Sequence, residues 1–295
     1  MEITMKKYVS ATILLAIIIV YVLFVNNSHS IEQMIEVSNT EVSQESYASD
    51  VNIENDFDFT NLTLDQGNAY IAFSENDITG FNRWLPFYFK ITTDKELTAD
   101  SAEELLNNNI NQAKLYLNTN LELYKTNQLI WSAYKVDDTT FNLTLVIIPE
   151  IDALNINGVT QIDRIVLSSE SSYFEYDLGN YLIEQRETIP EDELWVSASP
   201  IEAIIEGDLT TDLYYSITQL KYNVDEFDID FSEQYDEIKD YTVKDDIVIE
   251  DNIVEYTVEV SLKQQPNGTV FRPFIQVKYN NQIGYMIPVV PVYFR

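Results

Sequence analysis

Cysteine is absent from this sequence, and histidine occurs once, at His29. Without cysteine the chain forms no disulfide bonds, and zinc sites built from cysteine and histidine lack their ligands. The sequence does not supply a Ser-His-Asp or Cys-His catalytic group, because its single histidine lies in a polar stretch without candidate catalytic residues around it. These absences exclude the most common nucleophilic and zinc-dependent enzymes.

Glycine is also scarce, with seven in 295 residues and no Gly-x-Gly motif. This excludes the glycine-rich loops that cradle phosphate groups. Carboxylate chemistry stays open because Asp and Glu are abundant, so a carboxylate-dependent cell-wall glycoside hydrolase is the enzyme alternative. Function has to be argued from a site, and the sequence displays none, which favours a non-catalytic protein.

Positive charge is sparse as well: 17 Lys and Arg stand against 49 Asp and Glu, a net charge of −32 at pH 7. Binding to nucleic acid depends on neutralising phosphates with Lys and Arg, so the sequence predicts no nucleic-acid partner. Docking on anionic lipid surfaces is disfavoured for the same reason. The composition is typical of an acidic surface protein, and it also suits a halophilic host, where high salt screens charge.

The one long apolar run lies near the N-terminus. Residues 8–25 are uncharged, Lys6 and Lys7 precede them, and the next basic residue is Arg83. An 18-residue helix spans about 27 Å, close to the hydrocarbon core of roughly 30 Å. Because positive charge stays inside, we predict a single-pass signal-anchor with a cytoplasmic N-terminus and extracytoplasmic C-terminal domains. The alternative is secretion after cleavage near Ser30.

The remainder is predicted to form a stalk and two domains. Residues 26–55 are polar without sustained periodicity, which is typical of a flexible stalk. Residues 56–172 mix strand and helix patterns, residues 173–193 are predicted to be a connector, and residues 194–295 show strand patterns alone. The sequence therefore predicts a transmembrane helix followed by a mainly-β ectodomain.

The first domain, 56–172, is predicted to be α+β, an antiparallel sheet with one helix. A capping box at Ser101 and Glu104, followed by apolar residues at helical spacing, predicts a helix at about 102–118. Two apolar runs flank a turn at 65–68, which is a hairpin signature.

The second domain, 194–295, holds seven or eight short β runs, Ile247–Ile249 among them, separated by turn residues. This number and spacing predict an immunoglobulin-like β-sandwich. The cysteine and tryptophan signature of antibody domains is missing, so the prediction depends on strand number alone.

The most aromatic part of the chain begins at Arg83. If exposed, Arg83, Trp84, Phe87 and Tyr88 form a candidate partner-binding surface, because aromatic residues and Arg dominate binding hot spots. If buried, the same residues are ordinary strand core. The sequence leaves both interpretations open.

A dense acidic segment, 225–255, holds 13 acidic residues and two lysines. Its Asp-Ile-Asp sequence at 228–230 looks like the start of a calcium loop, but Glu233 and Lys239 stand where the EF-hand pattern needs Gly and Glu. A looser calcium site stays open. The alternation of apolar residues with Asp over 227–231 favours a half-buried strand with solvated acids.

Together these patterns predict a membrane-anchored, non-catalytic binding or assembly protein of a bacterial cell envelope, without a cofactor. The expected partner is another envelope protein or a wall polymer. The alternatives are the wall hydrolase and the ectodomain of a membrane sensor complex, although a cytoplasmic tip of seven residues is too short for a signalling domain.

Overall fold

Four β-sheets and one helix make up the part of the chain that the computed structural model describes. The described residues are 61–77, 83–117, 121–150, 154, 156, 158–169, 173–190, 192–205, 209–250 and 252–295. The strands are β1 (Leu62–Leu64), β2 (Ala69–Ser74), β3 (Leu85–Thr92), β4 (Gln112–Leu117), β5 (Leu121–Thr126), β6 (Ile130–Lys135), β7 (Thr140–Ile147), β8 (Val159–Ser168), β9 (Tyr173–Arg186), β10 (Leu194–Ser199), β11 (Glu202–Ala203), β12 (Thr210–Gln219), β13 (Val224–Asp230), β14 (Ile238–Glu250), β15 (Ile253–Leu262), β16 (Thr269–Arg272), β17 (Phe274–Tyr279), β18 (Gln282–Met286) and β19 (Val292–Phe294). The helix, α1 (Ala99–Asn109), lies between β3 and β4.

The first sheet is antiparallel, with the strand order β1-β3-β7-β6. Along β7 every second residue from Phe141 to Ile147 is buried, as expected for a strand with one face on a core. That core includes aromatic contacts to a second sheet: Phe87 stacks on Tyr181 with ring centroids 5.0 Å apart. Aromatic packing therefore links the first sheet to β9.

The second sheet has eight strands in the order β11-β19-β16-β2-β9-β8-β4-β5. β2 lies near its middle, parallel to both β9 and β16. All six residues of β2 are buried, and a strand covered on both faces is expected to be apolar throughout rather than alternating. β2 thus joins the first half of the chain to the last quarter.

The third and fourth sheets are antiparallel and pack against each other. Their orders are β10-β12-β15-β14 and β13-β17-β18. Val254, Tyr256, Val258, Val260 and Leu262 form the buried face of β15. Contacts between the two sheets include Phe227 of β13, whose ring stacks on that of Tyr256 at 4.2 Å.

The hairpin prediction around residues 65–68 is wrong. β1 pairs with β3, whereas β2 enters the eight-stranded sheet. The turn still brings segments together, because the Gly67 amide donates to the Gly268 carbonyl at 3.0 Å. Apolar side chains on both faces of β2 require a covered central position, which a two-stranded hairpin cannot supply.

The helix prediction is correct in its first half and wrong in its second. α1 begins after Thr98, whose Oγ1 accepts a hydrogen bond from the Ser101 amide at 3.1 Å. Three successive Asn residues then end it, since Asn is a poor helix former. Residues 112–117 form β4, in which Ala113 and Leu115 are buried at the two-residue spacing of a strand.

Most of the predicted connector, 173–193, is occupied by β9, which pairs with β2 and β8. Residues 58–295 cluster into one compact unit. The division into one domain at 56–172 and another at 194–295 stays a prediction.

The predicted anchor at 8–25 and the stalk at 26–55 lie outside the described residues. Among the residues that the structure does describe, none of the helices is both long and apolar enough to cross a membrane.

Buried tyrosines predict a loss of stability at alkaline pH. Burial raises the pKa of Tyr70, Tyr181, Tyr215 and Tyr235 above the ordinary value of 10.0. Since tyrosines of the unfolded chain ionise near pH 10, the stability that these groups contribute is complete below that pH and declines above it. Urea unfolding at increasing pH should give a falling free energy of unfolding from about pH 10 upward.

Tyr215 supplies the control, because its buried hydroxyl has no hydrogen-bond partner among the described residues. Tyr215→Phe should keep full stability at neutral pH and flatten the alkaline decline, whereas Tyr134→Phe, at a residue 73% exposed, should change neither. A free energy of unfolding that stays level to about pH 12 would contradict the argument.

Candidate functional site

The four predicted partner-binding residues lie at the start of β3. Phe87 is fully buried. Tyr88 stacks on Tyr293 at 4.6 Å, and its backbone amide donates to Gln66 Oε1 at 2.9 Å. Burial raises the pKa of the Tyr88 hydroxyl. These two rings therefore contribute packing inside the protein.

Arg83 and Trp84 also make internal contacts. Arg83 is 7% exposed, and its Nη1 donates to the Pro149 carbonyl at 2.9 Å. Trp84 Nε1 donates to the Val289 carbonyl at 3.1 Å. Burial of this segment favours the core alternative, and the partner-binding role of the four residues stays a prediction.

Arg272 lies beneath Trp84 as a fully buried cation. Its guanidinium carbon is 4.9 Å from the centre of the Trp84 ring, and Nη2 donates to the carbonyls of Ala72 and Trp84 at 3.0 and 2.6 Å. Burial lowers the pKa of this guanidinium, and its Nε and Nη1 have no hydrogen-bond partner among the described residues. Sequence reasoning missed this group because a lone Arg in a strand carries no signal of burial.

A second, partly buried network involves two acids and one arginine. Arg186 contacts Glu184 at 2.6 Å and Asp230 at 2.7 Å. Tyr70 donates its hydroxyl hydrogen to Glu184 at 2.6 Å. Arg186 also lies over the Phe274 ring at 4.5 Å. The network joins β2, β9, β13 and β17 across the core and carries no free carboxylate pair.

The acidic segment that resembles a calcium loop is largely a strand, as the alternation predicts. Asp228 and Asp230 lie on β13; Asp228 accepts a hydrogen bond from the Tyr241 hydroxyl at 3.1 Å, and Asp230 pairs with Arg186. Within the described ranges, no three His, Asp or Glu side chains come together as a metal-binding group.

An open polar pocket of about 300 Å³ lies beside the turn after β1. Its lining includes Asp65, Gln66, Asn267, Tyr293 and Arg295. The charged groups are already paired, because Arg295 contacts Asp65 at 2.8 Å and also binds a second acid. The pocket therefore offers no unpaired charge to a ligand.

The most unusual surface is the outer end of β14, which we term the distal edge and define as Asp246, Ile247, Val248 and Ile249. The three apolar residues are 58%, 66% and 45% exposed. β14 is the last strand of its sheet and pairs with β15 alone among the described strands. Three successive exposed apolar residues on a strand edge are an open site for strand pairing.

The inner half of β14 has one face that packs on the protein, with Ile238 buried, whereas every residue of the distal edge is exposed. The Tyr241 hydroxyl donates to Asp228 and to the Ile229 carbonyl at 3.0 Å, so β13 shields that part. The register with β15 shifts after Val243, which marks where the covered half ends. The sequence predicted a strand at Ile247–Ile249 but not its exposure. The acidic residues that precede and follow these three residues in the sequence were a signal of an exposed position.

No protein-family model matches the chain, and no curated protein matches its sequence. The geometry of the described residues therefore carries the functional argument.

Trp84→Ala distinguishes a core role from a binding role for the aromatic segment. The Trp84 ring packs on the Arg272 guanidinium, and its Nε1 donates to the Val289 carbonyl. We therefore expect the free energy of unfolding of Trp84→Ala to be lower than that of the parent by about 3 kcal/mol or more. Tyr134→Ala, which removes an exposed ring, should change it by less than about 0.5 kcal/mol. Chemical denaturation of the full-length chain measures both, and an unchanged stability for Trp84→Ala would restore the binding interpretation.

Proposed function

We propose that this chain is a non-catalytic binding or assembly protein of a bacterial cell envelope, anchored by residues 8–25 with its β domains outside the cytoplasmic membrane. The observation that carries the binding role is the exposed apolar distal edge of β14. Strand addition at such an edge supplies backbone hydrogen bonds for affinity and side-chain contacts for specificity. The partner in this proposal is another envelope protein that contributes an extended segment.

Several other sheet edges are short or covered, and this contrast supports a binding role for the distal edge. On the edge strand β6, the Ala133 amide donates to Glu103 Oε1 of α1 at 2.7 Å, so the helix covers that edge. β1 and β11 are edge strands of three and two residues. Proteins block edges by short strands and covering elements, and the distal edge has neither.

The strand orders support an immunoglobulin-like sandwich for 194–295. If β10, β12, β13, β14, β15, β17 and β18 are labelled A to G, the two sheets are A-B-E-D and C-F-G. This is the arrangement of a constant-type immunoglobulin domain. β11, β16 and β19 are additional strands that join the eight-stranded sheet. In this assignment the distal edge belongs to strand D, at a sheet border.

The anchor and its orientation are tested with single thiols, because the natural chain has no cysteine. Ile201→Cys, at an exposed residue, should react with a membrane-impermeant maleimide in intact cells. Thr4→Cys should react only after the cells are permeabilised. Protection of Ile201→Cys in intact cells would contradict an extracytoplasmic location, and loss of the Thr4 label with release into the medium would support cleavage instead.

The binding role is tested by photo-crosslinking in cells. A photoreactive residue placed at Ile247 should yield one discrete heteromeric product, because the distal edge contacts its partner there. Ile201 is the matched control, since it is an isoleucine of similar exposure, 60%, in a different part of the fold. Equal or absent crosslinking at both positions would contradict a partner at the distal edge.

A further inference from the structure

We propose that the distal edge selects a cationic extended segment of its partner, with Lys or Arg beside the apolar residues that pair with β14. The proposal rests on the proposed function and adds the chemistry of the partner. Its evidence is the register of β14 with β15, the acids around the distal edge, and the pairing of the nearby lysines.

The register fixes which side chains share a face. In the antiparallel pair, Val248 is opposite Val254 and Asp246 is opposite Tyr256, whereas Ile247 is opposite Glu255. Opposite residues project on the same side of a sheet. A strand added to β14 therefore meets Asp246 and Val248 on one face and Ile247 and Ile249 on the other. A matching strand needs basic residues on the first face and apolar residues on the second.

The sequence around the distal edge is acidic. The sequence from 245 to 255 holds five acidic residues and no Lys or Arg. Asp246 is opposite Tyr256 in the register, and the Tyr256 ring stacks on Phe227 of β13 at 4.2 Å, two residues from Asp225. The acids of β13 therefore lie near those of β14, and their carboxylates add to burial in raising the pKa of Tyr256. A cation that approaches the distal edge is therefore attracted by both sheets.

The nearest basic side chains are already paired. Lys244 contacts Asp212 at 2.7 Å and Glu259 at 3.0 Å. Lys278 on β17 contacts Glu226 at 2.5 Å. Because these lysines are engaged, no Lys or Arg pairs with Asp246 among the described residues, and in this proposal the partner supplies the positive charge.

A second copy of this chain is a poor occupant. Each copy carries a net charge of −32, and pairing two distal edges would bring two acidic runs side by side. Like charges placed opposite each other destabilise strand pairs. The same acids that attract a cationic segment therefore disfavour self-association, which is a known way to protect an exposed edge.

The test uses the full-length chain in detergent and two dye-labelled peptides, acetyl-Lys-Val-Lys-Val-Thr-Val-Lys-amide and the same peptide with Glu in place of every Lys. Fluorescence anisotropy should show binding of the Lys peptide, weakening as salt is added. The Glu peptide should bind at least about tenfold more weakly. A Lys peptide with Pro at its central position should lose binding, because Pro cannot donate to a strand ladder.

Variants of the distal edge separate the contribution of charge to peptide binding from the contribution of side-chain shape. Val248→Lys should weaken the Lys peptide by about tenfold or more, and Asp246→Lys should weaken the Lys peptide while strengthening the Glu peptide. Ile201→Lys, an exposed site elsewhere, should leave both affinities unchanged. Because Asp246 and Val248 are exposed, the melting temperatures of their variants should match the parent.

The outcomes distinguish this proposal from the proposed function. Equal affinity for the Lys and Glu peptides would overturn the charge selection, while heteromeric crosslinking at Ile247 would still support a binding role. Crosslinking at Ile247 to a second copy of the chain would overturn the cationic partner. Loss of both peptide binding and Ile247 crosslinking would overturn the two proposals together.

Discussion

The parallel pairing of β2 with β9 and β16 is the constraint on which the rest of the fold depends. β2 is buried along its whole length, and it can be covered only when strands from distant parts of the sequence lie on both sides. The Gly67 amide binds the Gly268 carbonyl, and Gly67 has no room for a side chain, since a Cβ there would meet the Asn267 carbonyl oxygen at 2.4 Å. Arg272 reinforces the same junction through the carbonyls of Ala72 and Trp84.

A protein with a net charge of −32 has to accommodate repulsion among its acidic residues. In this fold some acids pair with Lys or Arg, and others lie exposed at the surface. Glu184 and Asp230 share Arg186, and Lys244 links Asp212 and Glu259. Exposed pairs such as those of Lys244 add little stability individually. Burial of aromatic residues around Tyr70, Phe231, Tyr235 and Phe271 supplies the apolar contacts that hold the sheets together. Apart from Asp77, Glu184 and Glu237, the described acids are not buried, and Asp246 on β14 lies beside exposed apolar residues.

Much of the mainly-β character was predictable, because alternation along segments such as Thr140–Ile147 directly reflects one buried face. A helix near residue 102 was also predictable, but its cap is Thr98 rather than the predicted Ser101. The strand β4 was not, since Ala113 and Leu117 fit a helical spacing while Ala113 and Leu115 fit a strand spacing, and only pairing with β5 and β8 decides. The partners of β2 lie more than 100 residues away, so no local pattern could reveal them.

For the candidate site, sequence patterns predicted strands but could not predict their exposure. Phe87 and Ile247 are both apolar strand residues, yet one is buried in the core and the other is 58% exposed. The difference arises from strand position, because β3 has a neighbour on each side and β14 has one. Exposure at a sheet border is a tertiary property that local alternation does not encode.

The most direct measurement is hydrogen exchange of the full-length chain, purified alone and in its native membranes. The account predicts that the outward-facing backbone amides among residues 246–249, which do not donate to β15, exchange rapidly in the purified protein and slowly in membranes, where a partner strand is bound. Amides of β12 should exchange slowly in both. Rapid exchange at 246–249 in both preparations would contradict strand pairing at the distal edge.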